Sequence, residues 1–382
     1  MTRLLSALTA LIALSLALSA CGPVDEGSAG VSDQQGLSRG DASPPGGNTE
    51  ESPTEAPDAP GRPTEKVEEA WPSIPAQAPA DPLAALPVCT EGGVLAAITK
   101  SAIKLPQANS NAYRVPEGAR LMALEASFAS LLGGDVSSAR TYAATAEYTL
   151  CRGEGEESQL VLWKAAPGEG QARIVLRTGK ARPAIFEAPH PLHDAGTMEQ
   201  SLALFQRLDA RALIVSGTHR CANAEPSGCS GTTTACGGEG PFRISDAAHA
   251  ERSAFQTAHR ALSDHFADHL VIGVHGMGGT GASVSDGTTL PTTADSPSAK
   301  LAARLAESFG NVTTCNAFSG GPPRQNRLCG TTDVQGRHLN GVLLACTEGA
   351  PKSSGRFIHL EQAPEVRAGL DAVTGALDSV IP

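Results

Sequence analysis

After Pro183 the chain repeats one pattern: a short continuous apolar run, then a longer stretch whose apolar residues recur with helical spacing. Ala184 to Ala188, Ala212 to Ser216, Leu270 to Val274, Val342 to Ala345 and Phe357 to Leu360 read as strands. Met198 to Leu208, Ser298 to Phe309 and Pro364 to Leu377 read as helices, and Ser245-Asp246 opens a long one reaching about His269. Runs that are apolar at every position are buried on both faces, which is what a sheet covered by helices on both sides requires. The pattern predicts an α/β fold with a mostly parallel or mixed central sheet and helices on both faces. Residues 83 to 180 are less regular. Leu121 to Leu132 has helical spacing, and Gln159 to Trp163 with Arg173 to Arg177 form a hairpin around Pro167-Gly168. This part is either a small subdomain or the edge of the sheet.

The first 82 residues are of a different kind. A single charge at Arg3 precedes the apolar run Leu4 to Leu18, and Leu18-Ser19-Ala20-Cys21 follows. A charged start, a short apolar stretch and small residues before a break form a secretory signal over residues 1–20. The run is short of the roughly 20 residues that a membrane span needs. Leu-Ser-Ala-Cys resembles the lipobox of bacterial lipoproteins. That resemblance implies lipidation of Cys21, which becomes the new N-terminus and anchors the chain at the cell envelope without spanning the membrane. Residues 21–82 hold eleven of the 27 prolines, and twelve acidic against three basic residues. With almost no large apolar side chains, such a segment forms a disordered, extended tether. It also carries most of the net charge of −11. The folded domain, residues 83–382, is nearly neutral and has no basic patch interleaved with aromatics, which excludes nucleic acid as a partner.

Cysteine use agrees with export. Besides Cys21 there are eight cysteines, an even number suited to disulfides in an oxidising compartment. Local pairing of Cys221 with Cys229 or Cys236, and of Cys315 with Cys329, fits the spacing. No C-x-x-C pair exists, so a cysteine zinc site is not expected.

Ligands of open α/β sheets bind beyond the carboxyl ends of the strands. Four strands of this chain end in chemically able residues: His190, His219, His275 and Glu361. In Pro189-His190-Pro191-Leu192-His193-Asp194, a histidine and a nearby carboxylate on one loop can share a metal with a distant histidine, leaving a fourth position open. The same segment also reads as a capped turn. His275, in Val274-His275-Gly276-Met277-Gly278-Gly279, is either the third ligand or part of a glycine-rich oxyanion loop. The second reading needs a G-x-S-x-G elbow, which the chain lacks. Glu361 either accepts a proton from an activated water or caps the helix after Pro364. In Thr218-His219-Arg220-Cys221-Ala222-Asn223, Arg220 and Asn223 either hold a substrate carboxylate or oxyanion or belong to a loop fixed by a disulfide. His265 and His269 lack the glutamate of a zincin helix, and with His249 and His259 they are assigned to one helix as solvated or supporting residues.

The ordered set of motifs over roughly 183–370 resembles the N-formylglutamate amidohydrolases and the related phage-type poly-γ-glutamate hydrolases, of the zinc carboxypeptidase-like group. The matching pieces are Pro189-His190 with Asp194-Ala195-Gly196-Thr197, His219-Arg220 with Asn223, Val274-His275-Gly276, and Ile358-His359-Leu360-Glu361. The resemblance implies that His190, Asp194 and His275 bind Zn2+, with His193 as the alternative to Asp194. It implies Glu361 as general base and acid, and a substrate held by Arg220 and Asn223 with His219 beside them. The expectation is a zinc-dependent hydrolase of an amide or peptide-like bond in a small-molecule, glutamyl or cell-envelope substrate. The alternative is a non-catalytic lipoprotein that uses the same cleft for binding.

Overall fold

The computed structural model describes residues 81–382 apart from residues 91, 102–103 and 167, all within the unit Pro75–Pro382. The expected signal, Cys21 and nearly all of the tether lie outside the described residues. Asp81 caps a 3-10 turn at Pro82–Ala85, its carboxylate accepting from the Leu83 amide.

The element order is α1 (Val94–Ser101), α2 (Gly118–Leu132), α3 (Val136–Thr145), β1 (Tyr148–Arg152), β2 (Leu160–Ala165), β3 (Arg173–Arg177) and β4 (Arg182–Ala188). There follow α4 (Thr197–Arg207), β5 (Ala210–Val215), the short ribbon β6 (Thr232–Thr233) and β7 (Gly240–Pro241), α5 (Ala254–His265) and β8 (Leu270–Gly276). The chain ends with β9 (Ala282–Ser285), α6 (Pro297–Ser308), β10 (Val312–Thr314), α7 (Val334–Leu339), β11 (Phe357–Gln362), α8 (Pro364–Ala368) and α9 (Leu370–Asp378). Nine strands form one mixed sheet in the order β1-β2-β3-β5-β4-β8-β11-β9-β10. Its centre, β5-β4-β8-β11, is parallel. The meander β1-β2-β3 adds to one side antiparallel, so residues 148–177 extend the sheet's edge. On the other side β9 runs antiparallel to β11.

Strand alternation feeds two cores. Leu162, Phe186, Leu213, Ile272 and Ile358 point to a core shared with α1, α4, α6 and α9. Trp163, Ile185, Ile214, Val271 and Phe357 point to the opposite core, shared with α2, α3 and α5. Period two carries this second face onward to Glu187 on β4, His275 on β8, and His359 and Glu361 on β11. There the apolar face gives way to ionisable groups at the strands' carboxyl ends.

Two predicted elements differ. Ser245-Asp246 does not open a long helix: a 3-10 turn at Ala247–His249 follows, and α5 starts only at Ala254, where Ser253 Oγ accepts the Gln256 amide at 3.0 Å. Asp246 is instead drawn into a charged cluster. Val342 to Ala345 is a turn rather than a strand, with Leu343 93% exposed. The final helix breaks at Gly369, where any side chain would press its Cβ on the Phe309 ring. All eight described cysteines pair, as Cys89–Cys151, Cys221–Cys236, Cys229–Cys346 and Cys315–Cys329.

Phe128 on α2 is fully buried against Trp163, ring centroids 4.6 Å apart, and Trp163 Nε1 donates to Ser127 Oγ at 2.9 Å. Phe128→Ala is expected to lower the unfolding free energy by about 3–5 kcal/mol in urea titration. A change below about 0.5 kcal/mol would contradict this packing.

Candidate metal centre

One turn of helix after β4 builds the first part of the site. The amides of His193 and Asp194 return to the His190 carbonyl at 3.0 and 2.9 Å, which places the side chains of His190 and Asp194 together. His190 Nδ1 stands 3.4 Å from Asp194 Oδ2. His275, from the end of β8, brings its Nδ1 to 3.7 Å from the same oxygen. Donors held at about 2.1 Å around a tetrahedral ion stand about 3.4 Å apart, so these separations suit a shared metal. All three residues are buried. His193 is exposed, with its ring edge-on to His219 at 5.2 Å, so Asp194 and not His193 joins the group. Cys221, near His193 and His219, is tied up in its disulfide with Cys236.

His190 carries the sharpest sign of a ligand. Its Nε2 lies 2.8 Å from Asp246 Oδ1, while its buried Nδ1 has no hydrogen-bond partner. A carboxylate behind a metal-binding histidine fixes the ring and its tautomer in this way. Burial and the nearby Arg220 disfavour the charged imidazole, but Asp246 and Asp194 outweigh them and raise the His190 pKa to about 9. A metal at Nδ1 must therefore displace a proton. Burial and the neighbouring His359 push His275 down to about 4, against Asp333 and Glu361, so its ring is neutral at neutral pH. Burial opposes the charge on Asp194, yet the two imidazoles and the Gly276 amide, 3.1 Å from Oδ2, hold it well below the usual carboxylate range.

Glu361 pairs with His275 in the parallel register of β11 on β8. It is 8% exposed, its Oε1 is 3.3 Å from His359 Nε2, and its Oε2 has no partner. His359 Nδ1 lies 2.9 Å from Asp333 Oδ2. Burial disfavours its charge, but Asp333 and Glu361 raise its pKa to about 10. Arg220 sends Nε and Nη2 to Asp246 Oδ2 at 3.0 and 2.6 Å. His190, Arg220, His249, His275, His359 and Glu361 line one cavity of about 280 Å³, whose opposite wall comes from β6 and the segment Leu328–Asp333.

The other two expected substrate-binding residues lie elsewhere. Asn223 Nδ2 donates to the Tyr113 carbonyl at 3.0 Å and its Oδ1 accepts from the Glu225 amide at 2.9 Å. Both ends of the amide thus brace the loop, beside a separate cavity of about 700 Å³. His219 Nδ1 accepts from the Cys221 amide at 3.0 Å, and burial with the His193 charge lowers its pKa to about 4. Sequence reading gave no site role to Asp246, Asp333 and His359. His359 was legible, because a strand puts residues two apart on one face. Asp246 was hidden by the helical assignment. Asp333 stands just before α7, far along the chain from the strands that carry the other groups. Of the two readings of His249 and His259, solvated or supporting, their burial fits the second: His249 is buried, and His259 is fully buried against Glu187 at 2.7 Å.

No protein-family model matches the chain, and no curated protein matches it. Among solved structures, a candidate carboxypeptidase A from Shewanella denitrificans is similar at a TM-score of 0.27 and 14% identity. The match covers 57% of this chain and 60% of that one, so the chain spans under two thirds of its neighbour's length. A likeness this slight assigns no activity.

Removing the Asp246 carboxylate leaves the Arg220 guanidinium, largely buried, without its counter-charge. Asp246→Ala is expected to cost about 3–5 kcal/mol of stability, read from denaturant unfolding. Wild-type stability in that variant would show that the pair contributes nothing.

Proposed function

We propose that this chain is a zinc-dependent hydrolase of an amide or peptide-like bond, acting in the cavity lined by His190, His275 and Glu361, with Asp194 beside the two histidines. One observation carries the reading: the buried Nδ1 of His190, which makes no hydrogen bond, is locked from behind by Asp246 and set beside the Asp194 carboxylate and a second imidazole. Two imidazoles and a carboxylate, without thiolates, suit a catalytic zinc with an open fourth position. When bound, zinc supplies Lewis acidity toward the scissile carbonyl and a water molecule. Glu361 Oε2 takes the proton from the attacking water and returns it to the departing amine, so water is divided between acid and amine products. His359 Nε2 stands 3.3 Å from the other oxygen of Glu361. Arg220, the expected substrate-binding residue that lines the same cavity, orients a substrate oxygen there. Small amide-bonded or peptide-like molecules, including glutamyl and cell-wall peptides, are the substrate class that the family resemblance favours.

Metal analysis of the purified chain tests this directly. About one zinc per chain is expected, lost in a His190→Ala, His275→Ala double variant. Glu361→Gln should keep the zinc and lose at least about 100-fold in turnover against a panel of N-acyl amino acids and γ-glutamyl peptides. Zinc bound without turnover of any amide would leave a binding protein, and no zinc in the folded wild type would sink the mechanism.

Export and anchoring through Cys21 belong to the same proposal. Supporting them are the apolar run ending in Leu18-Ser19-Ala20-Cys21 and the complete pairing of the eight described cysteines, which fits an oxidising compartment. Labelled palmitate fed to a bacterial host should mark the wild type and not Cys21→Ser. Equal label in both would overturn the anchor.

A further inference from the structure

His249 stands outside the three-residue donor set, yet it touches the supports of both candidate ligand histidines. Its Nδ1 is 3.0 Å from Asp246 Oδ1, the same oxygen that holds His190 Nε2 at 2.8 Å. Its Nε2 is 3.0 Å from Thr332 Oγ1 and 3.3 Å from Asp333 Oδ1. The other oxygen of Asp333 lies 3.6 Å from His275 Nε2 and 2.9 Å from His359 Nδ1. One face of the His249 ring stacks on Phe242, with centroids 3.7 Å apart and planes within 8°. The ring is thus held by a face and by both nitrogens, and it is 6% exposed.

We propose that His249 is a positioning residue of the metal centre, tying Asp246 behind His190 to Asp333 behind His275 so that both ligand rings are oriented as one unit. The inference rests on the metal reading given above. A carboxylate behind a ligand histidine sets its tautomer and raises its basicity, but only while the carboxylate itself is held. Asp246 and Asp333 are both buried, and His249 stands between them, with Nδ1 against one carboxylate and Nε2 against the other. A rigid ring in contact with both sets their spacing. His190, Asp246 and His249 are also compact enough to take an ion themselves. Their donors are already used: Asp246 by Arg220 and both histidines, and His249 by Asp246, Thr332 and Asp333. Of these three residues, only His190 keeps a nitrogen without a hydrogen bond, the Nδ1 that faces Asp194, which places the ion there and gives His249 the supporting role.

Chelator competition on the full chain measures this with zinc alone, in the wild type, His249→Ala, His249→Phe and His249→Gln. His249→Ala and His249→Phe should each weaken zinc about 10- to 100-fold with the stoichiometry unchanged. Phenylalanine keeps the stack on Phe242, so a shared loss comes from the missing nitrogens and not from packing. His249→Gln, which keeps one donor, should recover part of the affinity. These two variants also keep the test decisive if His249→Ala fails to fold, which thermal melting of the zinc-free forms reveals. In the cobalt-substituted protein the visible absorption bands should be the same with and without His249, because the ligands are unchanged. Equal zinc affinity in all four proteins overturns the inference while leaving the hydrolase reading intact. Shifted cobalt bands would make His249 a ligand and overturn it too. A wild type that binds no zinc removes the metal reading and this inference together.

Discussion

A carboxylate can stay ionised in a protein interior only if donors and opposite charges replace the water it has lost. Asp246 is 1% exposed, and the site is arranged around meeting that condition. Arg220 takes one of its oxygens, and His190 and His249 share the other. Each of these groups comes from a different segment: the loop after β5, the turn after β4 and the 3-10 turn before α5. One buried charge therefore draws three loops to the carboxyl end of the sheet. Asp333 repeats the device on the other side with His359 and His249. Burial and neighbouring charges then split the two candidate ligand histidines, leaving His275 neutral and His190 protonated until an ion takes the proton's place.

The parts of this arrangement that the chain's pattern reveals are those that ride on strands. His190, His275 and Glu361 follow apolar runs, and a parallel sheet gathers such ends along one edge. Glu361 and His275 are in register on neighbouring strands, so a reading that finds both strands has already placed them side by side. Asp194 follows from the length of one helical turn. What stays hidden is the support. Asp246 looks like a helix cap, because Ser-Asp before an apolar stretch usually is one; here the helix begins eight residues later at Ala254. Asp333 comes from the end of the segment between β10 and α7, and only the folded chain shows that its carboxylate returns to the sheet. Asn223 shows the opposite case. Its motif suits a substrate contact, but its amide bonds Tyr113 and Glu225 beside a separate cavity, apart from the one that His190 and Glu361 line.

The far wall of the cavity is made differently. Thr232 and Thr233 lie between the cysteines of the Cys221–Cys236 bridge, and the Leu328–Asp333 segment includes Cys329, bridged to Cys315. Cys229–Cys346 joins the first of these loops to the turn after α7. Few large apolar side chains are available in these loops, and covalent links hold segments that hydrophobic packing cannot. The carboxyl end of the sheet thus carries the ionisable groups, and bridged loops line the same cavity.

The register of β11 on β8 has one more consequence. Glu361 and His275 are spaced by the hydrogen-bond ladder of two central strands, not by any loop. The bridged loops opposite can change length and sequence without moving Glu361 and His275 relative to each other. On the proposed hydrolase reading, selectivity and reactivity therefore reside in separable parts of the chain. Rewriting the wall would then change what enters the cavity while the pair on the sheet keeps its spacing.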